Sequence, residues 1–366
     1  MVPQPPLTHT LATLRDHLSR IERPDSAALA AALSAPVTFD GVRGFVSFED
    51  ESYVRSLVYR DDRMELRLHC WRPTQSSSLH GHGASACAFK ILRGTATETV
   101  LGERDRIWAP GSIVEETAPR LHQVMNAGRD PLLTLHAYSP PLPVDAPSSR
   151  RGRQVVIVGG GFAGAAVAYH LLREMDADGR IDLVEMGPWL GRGVAYGVES
   201  EVFRLNVQAS RMSIDPESPD DFVQFSASEA APQAFLGRAL YGRYVTARLG
   251  TGVRNSPARL RIWRDEAVAV TRDAATLRSG STLPADAIVP GDCDRPACQT
   301  RPPAPTPRRR VGRVRAGDPS QAGASVARLG PERWMCPMKI GPVRAPCSPP
   351  PRTRLRLRPG KARRRS

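Results

Sequence analysis

A segment rich in Pro, Ser and Arg, "PPLPVDAPSSRRGRQ" at residues 140–154, divides the chain into two stretches of different character. From residue 39 to residue 139, short apolar runs alternate with Asp, Gly, Pro and Ser, a pattern typical of an all-β barrel or sandwich. After the segment, "QVVIV" begins an α/β pattern that continues to about residue 289. Because 366 residues can form more than one core, we predict a multidomain protein.

The pattern predicts four parts of the chain. An all-β domain that begins with short helices spans residues 1–143, and a linker spans residues 144–153. An α/β domain spans residues 154–289. A disordered tail rich in Arg and Pro spans residues 290–366, because it lacks the apolar periodicity that a core requires.

The tail carries the positive charge of the chain. The net charge is +14, and residues 290–366 alone hold 19 Lys and Arg against four Asp and Glu. Since the tail has no interleaved aromatic side chains, we expect no specific binding of nucleic acid. One hypothesis is a reading-frame shift near residue 289, which would make the tail an out-of-frame translation. The alternative is a disordered basic segment that binds acidic surfaces nonspecifically.

The N-terminus and the cysteines predict a cytoplasmic protein. No basic start is followed by an apolar run and a small-residue cleavage site, so we expect no secretory signal. The predicted domains contain only Cys70 and Cys87, too few for a disulfide framework. Residues 155–172 are uncharged, but their glycines and the preceding β-branched run favour a strand, a turn and a helix, so we expect no membrane contact.

Four histidines are candidate metal ligands. His80 and His82 flank Gly81, and residues i and i+2 of a β-strand point to the same face, so both imidazoles could reach one ion. A metal site also needs a ligand from a distant segment. His122 in "RLHQVMNAG" and His136 in "TLHAY" both lie in β-like segments downstream.

The order of these motifs resembles a known family. The H-x-H pair, Gly94 and the H-x-x-x-N motif from His122 to Asn126 are similar to the two metal motifs of cupins. Many cupins have a glutamate ligand where this chain has Cys87. The thiol dioxygenases, typified by cysteine dioxygenase, lack that carboxylate and bind iron with three histidines. The resemblance spans about residues 40–142.

The resemblance implies a role for each matching residue. His80, His82 and His122 would bind Fe(II), and Arg55 in "YVRSLV" would hold the substrate carboxylate. Tyr138 would be the active-site phenol. The remaining matches are His136, which would orient that phenol, Thr134, which replaces the usual serine, Cys87, which in some members forms a thioether with the tyrosine, and Thr74, which replaces a usual glycine.

A glycine-rich turn follows the first strand of the α/β stretch. Gly159, Gly161 and Gly164 form G-x-G-x-x-G between a predicted strand and helix, and Glu185 ends the next strand. Such a turn brings a pyrophosphate close to a helix N-terminus, and the acidic residue accepts hydrogen bonds from a ribose. With "PWLGRGVAYG", "LNVQASRMS" and "ALYGRYV", residues 154–289 resemble bacterial FAD/NAD(P)-binding proteins. This resemblance implies an incomplete Rossmann-like domain, and FAD as a second cofactor held by Gly159, Gly161, Gly164 and Glu185.

The leading hypothesis is an Fe(II)-dependent thiol dioxygenase. It would add O₂ to the sulfur of a small thiol to give a sulfinic acid. L-cysteine is the expected substrate, and 3-mercaptopropionate remains open. One alternative is an FAD/NAD(P)-dependent oxidoreductase with the cupin as an accessory module, and another is a noncatalytic metal-binding cupin.

Overall fold

The computed structural model of the protein describes residues 6–117, 119–143, 152–200, 202–226 and 232–290. Most of the predicted linker and the tail after residue 290 lie outside the described residues. The boundaries between the four predicted parts therefore stay a prediction.

Short helices cover one side of the N-terminal half. They are α1 (His9–Ser19), α2 (Ser26–Leu33) and α3 (Phe39–Val42), with a 3₁₀ turn at Arg43–Phe45. Side-chain oxygens of Thr8 and Asp25 accept hydrogen bonds from the first turns of α1 and α2, which fixes where both helices begin. As the helical spacing predicts, α1 buries one leucine face, formed by Leu11, Leu14 and Leu18.

Eight strands form two antiparallel sheets. They are β1 (Val54–Arg60), β2 (Glu65–Trp71), β3 (Ala86–Arg93), β4 (Ala96–Val100), β5 (Arg106–Trp108), β6 (Ile113–Glu116), β7 (His122–Met125) and β8 (Leu132–Ser139). The larger sheet has the order β1-β2-β8-β3-β6, and the smaller one has the order β5-β4-β7. This arrangement is the predicted cupin-type barrel, a double-stranded β-helix.

The two faces of the larger sheet have different partners. On β2, Leu66, Leu68 and Cys70 pack into a cluster with the leucines of α1 and α2. Because side chains alternate along a strand, residues 65, 67, 69 and 71 point to the other face. There, Trp71 joins a second cluster with Val124 of β7, in the smaller sheet. The space between the two sheets is called the barrel interior below.

The second half contains a parallel sheet. Its elements are β9 (Gln154–Val158), α4 (Phe162–Glu174), β10 (Arg180–Val184), α5 (Gly193–Tyr196), α6 (Asp221–Phe225), α7 (Arg238–Asn255), β11 (Arg259–Trp263), β12 (Ala267–Val270), β13 (Ala274–Leu277), β14 (Thr282–Pro284) and β15 (Ala287–Pro290), with a 3₁₀ turn at Ala209–Arg211. Strands β11-β10-β9-β15 are parallel, and β12-β13-β14 form a small antiparallel sheet. The α/β prediction is confirmed.

The uncharged stretch 155–172 folds as strand, turn and helix, as the sequence predicts. All five residues of β9 are buried, and α4 buries its small side chains against the parallel sheet. Among the described residues, no helix combines the length and the apolar character needed to cross a membrane.

Strand β11 joins the two halves. It lies at the edge of the parallel sheet, and its outward backbone groups bind residues of the barrel. Leu79 donates its backbone N–H to the carbonyl of Leu260 over 2.7 Å. The side-chain amide of Gln123 donates to the carbonyl of Ile262 and accepts from its N–H, each over 2.8 Å. The barrel thus satisfies an edge strand whose backbone groups would otherwise be unpaired.

Candidate functional site

The three predicted metal ligands meet in the structure. His80 and His122 form an isolated antiparallel bridge, in which each donates its backbone N–H to the carbonyl of the other over 2.8–2.9 Å. His82 lies in the loop before β3, so the H-x-H pair does not occupy a regular strand as expected. One ligand atom from each of the three rings lies within 4.8 Å of the others. The predicted convergence therefore holds, although the local backbone differs.

Hydrogen bonds to the far side of two rings orient them. The Nδ1 atom of His80 lies 2.9 Å from the carbonyl of Ser78. The Nδ1 atom of His122 lies 3.0 Å from Glu98 and 3.2 Å from Glu116. With Nδ1 engaged in this way, Nε2 of His122 is buried and has no protein partner among the described residues. Such backing fixes the tautomer and leaves the second nitrogen for a metal.

His80 and His82 are neutral, whereas the carboxylates beside His122 favour its protonated form. Burial lowers the pKa of His80 to about 3 and the pKa of His82 to about 2, with the neighbouring histidines acting in the same direction. Burial acts to lower the pKa of His122 too, but the carboxylates of Glu116 and Glu98, which accept hydrogen bonds from its imidazole, raise it to about 9. Neutral imidazoles are good ligands for first-row transition metals, and the negative charge beside His122 favours a cation.

Glu98 and Glu116 also form, with His122, a buried acidic cluster. Burial raises the pKa of Glu98, yet its hydrogen bonds to His122, Glu116 and Trp108 lower it to about 2. The pKa of Glu116 is raised, first by burial. Glu98 is therefore the carboxylate of the two that stays charged, while burial disfavours the charge on Glu116. Both carboxylates contact Nδ1 of His122 and thereby orient its ring, a role that the sequence did not predict.

A chain of hydrogen bonds runs along the inner face of β8. The indole N–H of Trp71 donates to the hydroxyl of Thr134 over 3.0 Å, and that hydroxyl lies 2.8 Å from Nε2 of His136. Nδ1 of His136 lies 3.2 Å from the hydroxyl of Tyr138. The i, i+2, i+4 alternation of the strand aligns these three side chains of β8. Thr134 can thus make the hydrogen bond that a serine would make.

Tyr138 and Cys87 lie directly opposite each other on β8 and β3. The ring of Tyr138 is 5.4 Å from the ring of His82, so the phenol adjoins the histidine cluster. Burial raises the pKa of both side chains well above their ordinary values, so both are protonated at neutral pH. The structure therefore brings together the two groups of the predicted thioether.

Arg55 lies on β1 opposite His69 of β2. It is exposed, and its guanidinium lies 5.9 Å from the ring centre of Tyr53. Its charge contributes to lowering the pKa of His69 and of His80. Arg55 therefore adds positive charge at the side of the histidine cluster where β1 and β2 pair.

Thr74 precedes the H-x-H pair at the position where glycine is usual in the resembled family. Its φ is 69°, the left-handed region, and among the described residues it is the only non-glycine residue with a positive φ. A β-branched side chain is strained in this conformation. The loop therefore keeps the backbone shape that suits glycine.

A cavity of about 500 Å³ adjoins His80 and His82. The barrel contributes Arg120 to its wall, and the second half contributes Arg254 and Arg259. Residues of both halves thus surround the approach to these two histidines.

The glycine-rich turn has the geometry that its sequence predicts. Gly159 has a φ of 97°, and Gly161 precedes α4 without a side-chain cap. A Cβ on Gly164 would lie 1.8 Å from the carbonyl oxygen of Gly159, so only glycine fits there. The turn therefore fits the close approach of a pyrophosphate to α4.

Glu185 has backbone partners. Its two carboxylate oxygens accept hydrogen bonds from the N–H groups of Gly160, over 2.7 Å, and Gly187, over 2.6 Å. The carboxylate lies at the end of β10, where a ribose would be expected. It also stabilises the turn itself, which the sequence motif did not indicate.

Comparisons with known proteins match the two halves separately. Residues 8–151 match the family model described as cysteine dioxygenase type I, and residues 156–290 match the model described as FAD-NAD(P)-binding. Both predicted resemblances are confirmed.

Cysteine dioxygenases among the curated relatives match the N-terminal half. Cysteine dioxygenase type 1 of Danio rerio is 32% identical over 112 residues, and that of Homo sapiens is 29% identical over 111 residues. Each alignment covers 26% of this chain and 56% of the relative, so the chain spans about half the length of the curated relatives it matches.

Solved structures also match this half. An uncharacterized conserved protein with a double-stranded beta-helix domain from Klebsiella pneumoniae is 19% identical, with a TM-score of 0.26 over 27% of this chain and 81% of that chain. An RmlC-like cupin protein from Desulfovibrio desulfuricans is 18% identical, with a TM-score of 0.25 over 26% of this chain and 91% of that chain.

Proposed function

We propose that the N-terminal half is an Fe(II)-dependent thiol dioxygenase. The observation that carries the proposal is the convergence of His80, His82 and His122, with a buried Nε2 on His122 that has no protein partner among the described residues. These three residues would hold the iron. Three imidazole donors without a carboxylate ligand would leave a first-row metal its full positive charge, and His122 would lose a proton when its Nε2 binds the metal. The match to the cysteine dioxygenase family supports the same conclusion.

The proposed reaction converts a thiol and O₂ into a sulfinic acid. Both oxygen atoms add to sulfur, which loses four electrons, and O₂ gains them, so no further reductant is needed. Iron held by the histidines would supply open coordination positions for the thiol and O₂.

The protein side chains would bind and orient the substrate. Arg55 would hold the carboxylate of the thiol through a two-point contact that lysine could not reproduce. Tyr138 is protonated and adjoins His82, so its phenol can donate a hydrogen bond towards the substrate. His136 would fix the direction of that phenol through the 3.2 Å contact.

The test is oxygen uptake by the full chain, loaded anaerobically with Fe(II). L-cysteine, 3-mercaptopropionate and cysteamine are added in turn, and sulfinate is measured. We expect uptake with L-cysteine, matched by sulfinate. His122→Ala should lose both iron and activity, whereas His17→Ala, on the exposed side of α1, should retain both. Stoichiometric iron without uptake would instead support a noncatalytic metal-binding cupin.

A second candidate function belongs to the second half. The tight turn at Gly159 and Gly164, together with the family match, supports a dinucleotide-binding oxidoreductase with the cupin as its accessory module. The cofactor would be FAD or a nicotinamide dinucleotide. The absorption spectrum of the purified full chain distinguishes them, because bound FAD is yellow. A colourless protein that binds neither cofactor in equilibrium dialysis would contradict this candidate.

A further inference from the structure

His69 on β2 is a buried histidine without a hydrogen-bonding partner. Its relative exposure is 5%, and neither ring nitrogen contacts a donor or an acceptor within the described part of the chain. Buried polar groups are nearly always hydrogen-bonded, because the loss of water is otherwise uncompensated. The side chain therefore needs an explanation that the proposed metal site does not provide.

The surroundings of His69 place it in the barrel interior. Its cross-strand neighbours are Arg55 on β1 and Thr134 on β8. Its ring stacks on that of His136 at 3.9 Å and lies 5.5 Å from the ring of Tyr53. His69 therefore lies between the predicted carboxylate-binding arginine and the hydrogen-bond chain of β8.

The charges around His69 keep the imidazole neutral. Burial holds its pKa well below the ordinary value, and the positive charges of Arg55 and Arg67 act in the same direction. His80 and His82 act in the same direction. A neutral imidazole has one N–H to donate and one nitrogen to accept. Beside a guanidinium, the ligand that matches such a donor is an anion with two acceptor atoms.

We propose that His69 is a substrate-binding residue that donates a hydrogen bond to the carboxylate held by Arg55. The inference rests on the proposed dioxygenase function and deepens it, because it assigns the substrate to the thiols that carry a carboxylate. The guanidinium supplies the charge, and the buried imidazole supplies a donor in a fixed position, since stacking on His136 holds its ring.

The variants are chosen to separate binding from packing. His69→Phe keeps an aromatic ring that can stack on His136 but removes the N–H. His69→Gln restores a donor on a side chain of similar reach. His17→Phe, on the exposed side of α1, is the matched control. Circular dichroism and iron content confirm that each full-chain variant is folded and loaded.

The first measurement is anaerobic isothermal titration of thiols into the Fe(II)-loaded full chain, which reports binding without turnover. We expect His69→Phe to weaken L-cysteine and 3-mercaptopropionate by roughly 10- to 100-fold, the usual effect of losing a hydrogen bond to a charged group. Cysteamine, which lacks the carboxylate, should bind unchanged, and His69→Gln should recover part of the loss. Steady-state kinetics should show the same change in KM with a smaller change in kcat.

The outcomes separate this inference from the proposed function. Equal weakening of all three thiols would make His69 a purely structural residue, and weakening of L-cysteine alone would assign it to the amino group, so either result overturns the inference. Unchanged binding in His69→Phe overturns it as well. If the wild-type protein binds the carboxylate thiols through His69 but consumes no oxygen, the inference stands and the dioxygenase proposal fails. If it binds none of the thiols, both fail.

Discussion

The histidine cluster of the barrel and the glycine turn of the second half differ in where their hydrogen-bonding groups point. In the barrel, carboxylates bind the far side of His122, and the near nitrogen is left without a protein partner among the described residues. In the turn, the carboxylate of Glu185 binds the backbone N–H groups of Gly160 and Gly187. The histidine cluster therefore leaves a buried nitrogen for a ligand to bind, whereas the glycine turn is stabilised by hydrogen bonds within the protein.

The comparison teaches that a ligand should affect the two sites differently. The buried nitrogens of the barrel gain partners only when a ligand binds, so binding should stabilise this half strongly. Two N–H groups of the turn already have partners, because Gly159 donates to the carbonyl of Val184 and Gly160 donates to Glu185. A dinucleotide would gain less there from backbone contacts and more from its fit to the glycines.

The largest effect should come from adding one methyl group to the turn. In Gly164→Ala the new Cβ would lie 1.8 Å from the carbonyl of Gly159, so β9 and α4 must separate. We expect the free energy of unfolding to fall by at least about 4 kcal/mol, measured by denaturant unfolding. Gly161→Ala is the control, because its Cβ would make only ordinary contacts, the nearest at 3.4 Å. Equal stability of the two variants would show that the turn is less constrained than its contacts indicate.

A smaller effect is expected from changing Glu98, which contacts Nδ1 of His122 at the proposed metal site. In Glu98→Gln the amide cannot accept hydrogen bonds through both atoms, as the carboxylate does from His122 and from Trp108. We expect the affinity for Fe(II) to fall about 10- to 100-fold, because the carboxylate makes the imidazole more basic. Competition with a chelator measures this change.

The exposed neighbour Glu115 provides the matched control for the carboxylate. Glu115→Gln should bind Fe(II) as the wild-type protein does. If Glu98→Gln also retained the wild-type affinity, the contact between Glu98 and His122 would not contribute to binding a cation. The proposed difference between this site and the glycine turn would then be wrong.

The smallest effect concerns two left-handed backbone positions, one in each half. Position 159 has glycine, which a positive φ favours, whereas position 74 has threonine at a φ of 69°. Since the Thr74 side chain is exposed, Thr74→Gly should relieve strain at little cost in contacts and raise the free energy of unfolding by about 1 kcal/mol. Thermal unfolding measures the increase. In the control Thr282→Gly, on an exposed strand position, glycine should lower stability instead.

The sequence predicted those parts of the site that depend on local periodicity. The H-x-H spacing predicted that the imidazoles of His80 and His82 reach one site, and the resemblance to the thiol dioxygenases added His122 and the side chains of β8. The strand, turn and helix around Gly164 followed from glycine chemistry in the same way. The H-x-H pair and the glycine turn could each be recognised from a few neighbouring residues, whereas His122 was recognised only through the resemblance.

The supporting contacts could not be predicted, because they depend on long-range pairing. Glu98 lies in "ATETV", where a single carboxylate is typical of a solvated strand face, yet it is buried against His122. His69 also lies in a strand whose pattern gives no sign of its missing partners. The isolated bridge between His80 and His122 replaces the strand that the H-x-H spacing suggested, because residues far apart in the chain pair there.

The contacts between the barrel and β11 affect when the proposed metal site can form during synthesis of the chain. Leu79 and Gln123 stand next to His80 and His122, and both bind backbone groups of a strand that begins at Arg259. A ribosome adds about 5–20 residues per second, so this strand emerges roughly 10 s after the barrel sequence. During that interval the two ligand-bearing segments lack one of their partners, and we expect iron to be held in its final geometry only after the second half has folded.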